Sequence, residues 1–160
     1  TATIVAVPLL GVSTLFNVLR DIALYTLQYP TVVPRHSIYY PTAAVDAMRW
    51  IRNHAKFGEA TFAIGLDGNF LPMYAARQSV LGHGVETTNF AEKYHTSYAL
   101  TSGNLSPADA RAFLESVRAR YILVTDASRG LWSIDPTTIP GVTLVYQNGS
   151  AEVYQWTSGR

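Results

Sequence analysis

The chain has 160 residues, a net charge of +1, 48% hydrophobic residues and only 14% charged ones, where an ordinary soluble domain has roughly a quarter charged. That length suits one domain with an appendage, and a near-neutral charge without a long Lys/Arg run argues against nucleic acid as a partner. There is no cysteine, which excludes a disulfide framework, a thiolate nucleophile and a Cys-bearing zinc site.

Residues 1–19 are uncharged; Arg20-Asp21 ends the run, and Tyr25 and Tyr29 follow. A bilayer span needs about 20 mostly apolar residues and often ends in interfacial Tyr. Residues 1–29 are therefore expected to be an apolar helix at the end of a transmembrane span. Pro8 and Gly11, poor in a soluble helix interior, fit that reading. The alternative is an amphipathic core helix with Ile4, Pro8, Val12, Phe16 and Leu19 on one face. No cleavage-site pattern marks a signal peptide, and a chain beginning at Thr1 is expected to be a piece of a longer one.

Residues 30–41 read as a linker, with Pro30, Pro34 and Pro41 and no apolar period. A helix follows, with Thr42 as N-cap, Val45, Met48, Ile51 and Ala55 at helical spacing, and Gly58 as its stop. Residues 60–64 form a short apolar strand ending at Gly65. Residues 65–69 read as a Gly-bearing turn, 70–77 as a short helix and 79–81 as a second strand. A polar loop is expected over 82–94, and the chain stays polar and Tyr-rich through Gly103. Ser106-Pro107-Ala108-Asp109 starts a further helix, with Ser as cap and Pro at the first position; Phe113, Leu114 and Val117 are its apolar face. Residues 121–124 form strand three, and 126–130 a loop. Residues 142–146 and 151–156 alternate apolar and polar around Asn148-Gly149, a strong hairpin signal. The expected fold of residues 42–157 is a three-layer α/β domain. Its sheet is mainly parallel, closed by a C-terminal antiparallel β-hairpin.

Ligands of open parallel sheets bind outside the carboxyl ends of the strands. Three loops meet that rim, and they offer Asp67 and Asn69, then His83, Glu86, Thr87 and Lys93, then Asp126 and Arg129 as candidate substrate-binding residues. The bland alternative is that loops are polar because they are wet. The stretch 79–94, S-V-L-G-H-G-V-E-T-T-N-F-A-E-K-Y, holds the densest set. Catalytic templates fail: there is no G-x-S-x-G elbow, P-loop, H-E-x-x-H or EF-hand spacing, and Gly82-His83-Gly84 lacks the third glycine of a dinucleotide loop. His83 and Glu86 with Asp67 or His95 could compose a metal site, but four scattered histidines with no i, i+4 pair are more often structural or solvated. Neither a catalytic residue, a metal nor a cofactor is assigned. Asp67 and Asp126 could face each other as an acid/base pair, but the loop-capping role common to Asp is the stronger reading. Tyr39, Tyr40, Tyr94 and Tyr98 fit sugar stacking, a membrane interface or plain packing.

Three features together carry a resemblance. The first is the uncharged helix with its Tyr/Pro linker. The second is A-V-D-A-M-R-W-I-R-N-H-A (44–55) leading through a strand to L-P-M-Y-A-A-R-Q-S-V-L-G-H (71–83). The third is T-T-N-F-A-E-K (87–93), with Y-I-L-V-T-D and V-Y-Q-N-G-S-A-E-V-Y closing the domain. This resembles the extracytoplasmic C-terminal domain of prokaryotic multi-spanning membrane proteins of the glycosyltransferase-C type, which use lipid-linked sugars. The resemblance implies a domain on the extracytoplasmic side of the cell membrane, partnered by the transmembrane part of the same protein. It implies catalysis on loops between upstream spans, so no catalytic residue is carried over. His83, Thr87 and Lys93 match the G-H-x-x-x-T and F-x-x-K pieces, and for them it implies a supporting or substrate-contacting role. Beside it stand two further readings, a self-contained α/β enzyme or small-ligand domain using the strand-end rim, and a structural or interaction domain.

Overall fold

The computed structural model describes residues 40–84 and 87–157; the expected apolar helix, most of the linker and Glu86 lie outside the described residues. Among the described residues no helix is long and apolar enough to cross a membrane.

The first element is helix α1 (Thr42–His54), which buries Ala44, Ala47, Met48 and Ile51. Pro41, not Thr42, holds the N-cap position, and no side chain caps this end. The helix stops at Ala55 rather than at Gly58, whose positive φ (+85°) instead shapes the following turn. Strand β1 (Ala60–Phe62) comes next. Residues 65–69, expected as a turn, are instead the start of helix α2 (Leu66–Ala75). Gly65 (φ +61°) reverses the chain, and helix begins at once. Two glycines within four residues read as a loop signal, yet Gly68 serves packing: a Cβ there would fall 2.0 Å from Leu81 O and 3.0 Å from Ala63 O. Strand β2 (Gln78–Ser79) is shorter than expected, with Val80 and Leu81 buried just beyond it.

The expected loop 82–94 ends early. Helix α3 (Phe90–Thr101) places Lys93 and Tyr94 on regular structure. It buries Ser97, Leu100 and Thr101, two of them small polar residues, so no apolar stripe announces it. Helix α4 (Pro107–Ser116) matches expectation: Ser106 Oγ accepts from Asp109 N at 3.1 Å. Strand β3 (Ala119–Val124) leads to a single helical turn, α5 (Asp126–Arg129), where a loop was expected; Thr125 and Ser128 close a capping box around it. A 3-10 turn (Pro136–Thr138) precedes strands β4 (Val142–Asn148) and β5 (Ala151–Trp156), joined through Gly149 (φ +56°) as the expected hairpin.

The five strands are ordered β2-β1-β3-β5-β4. β1 pairs in parallel with β2 and β3, and the hairpin adds antiparallel pairs, β5 to β3 and β4 to β5. One face of the sheet packs Tyr121, Leu123 and Val153 against Met48, Ile51 and Leu71 of α1 and α2. The other packs Phe62, Ile122, Val124, Tyr154 and Trp156 against Leu100, Phe113 and Leu114 of α3 and α4. These are the three layers the alternation of elements implies. At about 1.5–3 kcal/mol for each fully buried large apolar side chain, the two apolar layers hold the sheet between them.

The chain leaves β1 for α2 on the first face and leaves the adjacent parallel β2 for α3 on the second. The strand-end crevice between them is the switch point where α/β sheets bind ligands. Gly68 sets how closely α2 approaches the β2 end of that crevice. Replacing Gly68 with Ala forces either the helix or Leu81 to move and is expected to destabilise the fold by about 1–3 kcal/mol, the ordinary penalty of overpacking. Urea denaturation measures this; a loss below about 0.5 kcal/mol, the level of a neutral surface change, contradicts the tight approach.

Candidate functional site

Two adjoining cavities fill the crevice, sharing Asn69 and Gly82. The first, about 410 Å³, is apolar, walled by Ile64, Leu66, Leu81, Phe90 and Leu131 with Tyr94 and Tyr98 at its mouth. The tyrosines are 51% and 62% exposed, which is high for aromatic side chains in a wall. With Phe90 they repeat every four residues on one face of α3, and Phe90 stacks on Tyr94 with ring centroids 5.6 Å apart. Ser97 also lines this cavity; it is 1% exposed, and its Oγ has no hydrogen-bond partner among the described residues. A buried hydroxyl normally finds a partner.

The second cavity, about 470 Å³, is polar and is lined by His83, Thr87, Lys93, Arg77, Ser79 and Asn69, among others. Its wall is built locally. Thr87 N and Thr87 Oγ1 both donate to His83 O, at 3.0 and 3.1 Å, and Gly82 N donates to Thr87 Oγ1 at 3.2 Å. The segment around His83 is thus wound on the Thr87 hydroxyl while the imidazole stays exposed. The fold therefore gathers His83, Thr87, Lys93 and Asn69 into one cleft.

The remaining candidates sit elsewhere. Asp67 is fully buried, and its carboxylate is taken up by hydroxyls. Its carboxylate accepts from Thr125 Oγ1 at 2.7 Å and from the hydroxyls of Ser128 and Tyr40. Thr125 Oγ1 in turn accepts from Ala127 N, and Ser128 Oγ from Thr125 N, both at 3.1 Å. Both hydroxyl oxygens are thus occupied, and their protons go to Asp67. Burial pushes Asp67 up to about 6, against the pull of the hydroxyls; nearby Asp126 adds a smaller push. Asp126 and Arg129 tie α5 to the hairpin: Ser150 Oγ donates to Asp126 Oδ2 at 2.5 Å, and Arg129 pairs with Glu152 at 2.8 Å. Both have structural partners, and neither lines the cavities. Glu86 lies outside the described residues.

Sequence reasoning named Tyr94 and Tyr98 for stacking but missed the apolar cavity they line. Phe90, Tyr94 and Tyr98 at i, i+4 spacing are the signal that pointed to it, hidden because α3 reads as loop. In sequence, Arg77 marks only the end of a helix. Among the described residues, no three His, Asp or Glu side chains come together as a metal-holding group. The crevice lining combines the cations of Arg77 and Lys93 with polar groups and aromatic faces.

The sequence matches no protein-family model and no curated protein. The fold is similar to the crystal structure of the C-terminal globular domain of oligosaccharyltransferase from Archaeoglobus fulgidus. The TM-score is 0.52 at 10% identity, and the match covers 70% of this chain and 95% of that one. At that identity the likeness is one of fold.

The Asp67 cluster is testable by itself. Asp67→Ala leaves three buried or half-buried hydroxyls without their acceptor and is expected to cost about 2–4 kcal/mol. Because its folded value (about 6) lies above the ordinary 3.8, protonation favours the folded chain. The carboxyl's stabilisation is fully present below pH 3.8 and is lost as pH rises through about 6. The stability of the parent minus that of Asp67→Asn should therefore fall across this window in denaturation series. A flat difference contradicts the buried-carboxylate assignment.

Proposed function

We propose that this chain is the extracytoplasmic domain of an integral membrane glycosyltransferase-like protein. It is non-catalytic alone and uses the strand-end crevice to contact a lipid-linked sugar or an acceptor. Its partners on this reading are the membrane and a transmembrane part of the same protein. The observation that carries the reading is the fold match, which takes in 95% of an oligosaccharyltransferase's C-terminal globular domain. The crevice supplies the second support. Its polar half sets Lys93 and His83 beside Asn69, groups suited to donate to phosphate or sugar oxygens. Its apolar half offers tyrosine faces on which a sugar ring or an apolar chain can lie.

A second reading, a self-contained small-ligand domain, is favoured by one observation: the buried, unpartnered Ser97 hydroxyl in the apolar cavity. On that reading the isolated chain binds a compact ligand without any membrane component.

The test is an NMR titration of the chain with a water-soluble, short-chain lipid-phosphate sugar. Shifts are expected at Asn69, Gly82, Thr87 and Lys93. Exchanging His83 and Lys93 for Ala should weaken binding about tenfold or more, since a charge-assisted hydrogen bond is worth about 1.5–3 kcal/mol. Binding unchanged in the double variant, or shifts confined to residues outside the crevice, contradicts the proposal.

A further inference from the structure

The opposite edge of the sheet, where β2, β1 and β3 begin, carries a different chemistry. Arg52 closes α1, Lys56 stands in the turn before β1, Arg77 precedes β2, Arg118 precedes β3, and Arg120 lies one residue into it. Backbone contacts bring the four segments together. The Arg77 guanidinium donates to Ala55 O at 2.8 and 3.1 Å and to Arg52 O at 3.0 Å, closing the C-terminal carbonyls of α1. Ala60 N donates to Arg118 O at 2.9 Å, and Arg120 donates to Trp156 O at 2.8 Å. The Arg77 and Arg120 side chains thus bond to carbonyls, which leave the positive charge unneutralised. Among the described residues, ion pairs within 4.0 Å join only Arg49 to Asp46 and Arg129 to Glu152. Arg52, Lys56, Arg118 and Arg120 thus stand on this edge beside Glu59 and Glu115, with Arg77 between it and the polar cavity that Arg77 also lines.

In the turn between α1 and β1 stands Phe57, exposed at 103% of its reference area. Its turn is built: Gly58 takes φ +85°, Glu59 N donates to Lys56 O at 3.2 Å, and the Glu59 carboxylate accepts from Lys56 N at 2.8 Å. Met73, 73% exposed, lies in the last turn of α2 as it returns to the same edge. A single exposed apolar residue needs no explanation. An aromatic held outward on an ordered turn, on an edge that carries several cations, is the pattern of a protein that sits on a charged interface.

We propose that this edge docks on an anionic lipid bilayer, with Phe57 entering the interface and Arg52, Lys56 and Arg118 meeting headgroup phosphates. A soluble polyanion would satisfy the cations but leave Phe57 and Met73 in water; the bilayer takes both. The proposal does not rest on the crevice or on what it binds.

The chain has no cysteine, so Phe57→Cys carries a single apolar environment-sensitive fluorophore in place of the ring. Leu144→Cys, on the edge strand β4, carries the same label as a reference. On vesicles of phosphatidylcholine with phosphatidylglycerol, the label at 57 should shift to the blue and be quenched by bromolipids. The label at 144 should do neither, and pure phosphatidylcholine should give no response. Each cation near an anionic surface multiplies affinity about fivefold. Reversing Arg52 and Lys56 to Glu should therefore lower apparent affinity more than tenfold, and about 0.5 M NaCl should do the same by screening. The proposal is overturned if position 57 stays in water on anionic vesicles, if positions 57 and 144 respond alike, if charge reversal changes nothing, or if duplex DNA gives the larger response.

Discussion

The Asp67 carboxylate is the constraint the crevice depends on. It sits in the first turn of α2 and is fully buried, a position that water cannot satisfy. It is held by three hydroxyls from two places in the chain: Tyr40 just before α1, and Thr125 and Ser128 where β3 turns into α5. A buried charge is tolerable only when its acceptors are filled, and the capping box around α5 leaves the Thr125 and Ser128 protons available for it. One side chain thereby ties the loops after β1 and β3 together. Gly68, one residue on, lets the same helix press against Leu81 O. Charge satisfaction on one side and backbone contact on the other fix α2, and α2 is one wall of the crevice.

The opposite wall is α3, a helix with little apolar surface of its own. Its buried residues are Ser97, Leu100 and Thr101, and its outward aromatics, Tyr94 and Tyr98, remain half exposed. Such a helix gains little from packing compared with α1 or α4. Its apolar residues serve the cavity as much as the core. The two walls belong to opposite faces of the sheet, and the crevice between them opens where α/β folds commonly bind ligands. The likeness to an oligosaccharyltransferase C-terminal globular domain and the make-up of the crevice are the two supports for the proposed role. The edge with Phe57, Arg52, Lys56 and Arg118 lies where the strands begin, and Arg77 stands between it and the polar cavity.

The layered α/β fold was legible because its determinants are local. The apolar spacing of Met48 and Ile51, the Ser106-Pro107 cap and the Asn148-Gly149 turn all predicted what the structure contains. The misses have physical causes. Gly65 and Gly68 signalled a loop because both a positive φ and a close contact select glycine, and only coordinates separate the two. α3 was invisible because its core-facing positions are small and polar. Of the candidate residues, His83, Thr87, Lys93 and Asn69 meet because they follow adjacent strand ends. Asp67, Asp126 and Arg129 are absorbed by partners far away in sequence, at separations of 24 to 61 residues for their hydroxyl bonds. No spacing rule reveals such pairings.

The central claim is that Asp67 couples two strand-end segments into one wall. Native-state hydrogen exchange on the Asp67→Ala variant tests it most directly. The account predicts that the amides of residues 66–69 and 126–129 lose protection together, while the β3–β5 ladder keeps its own. Loss confined to one segment, or uniform loss across the sheet, would contradict it.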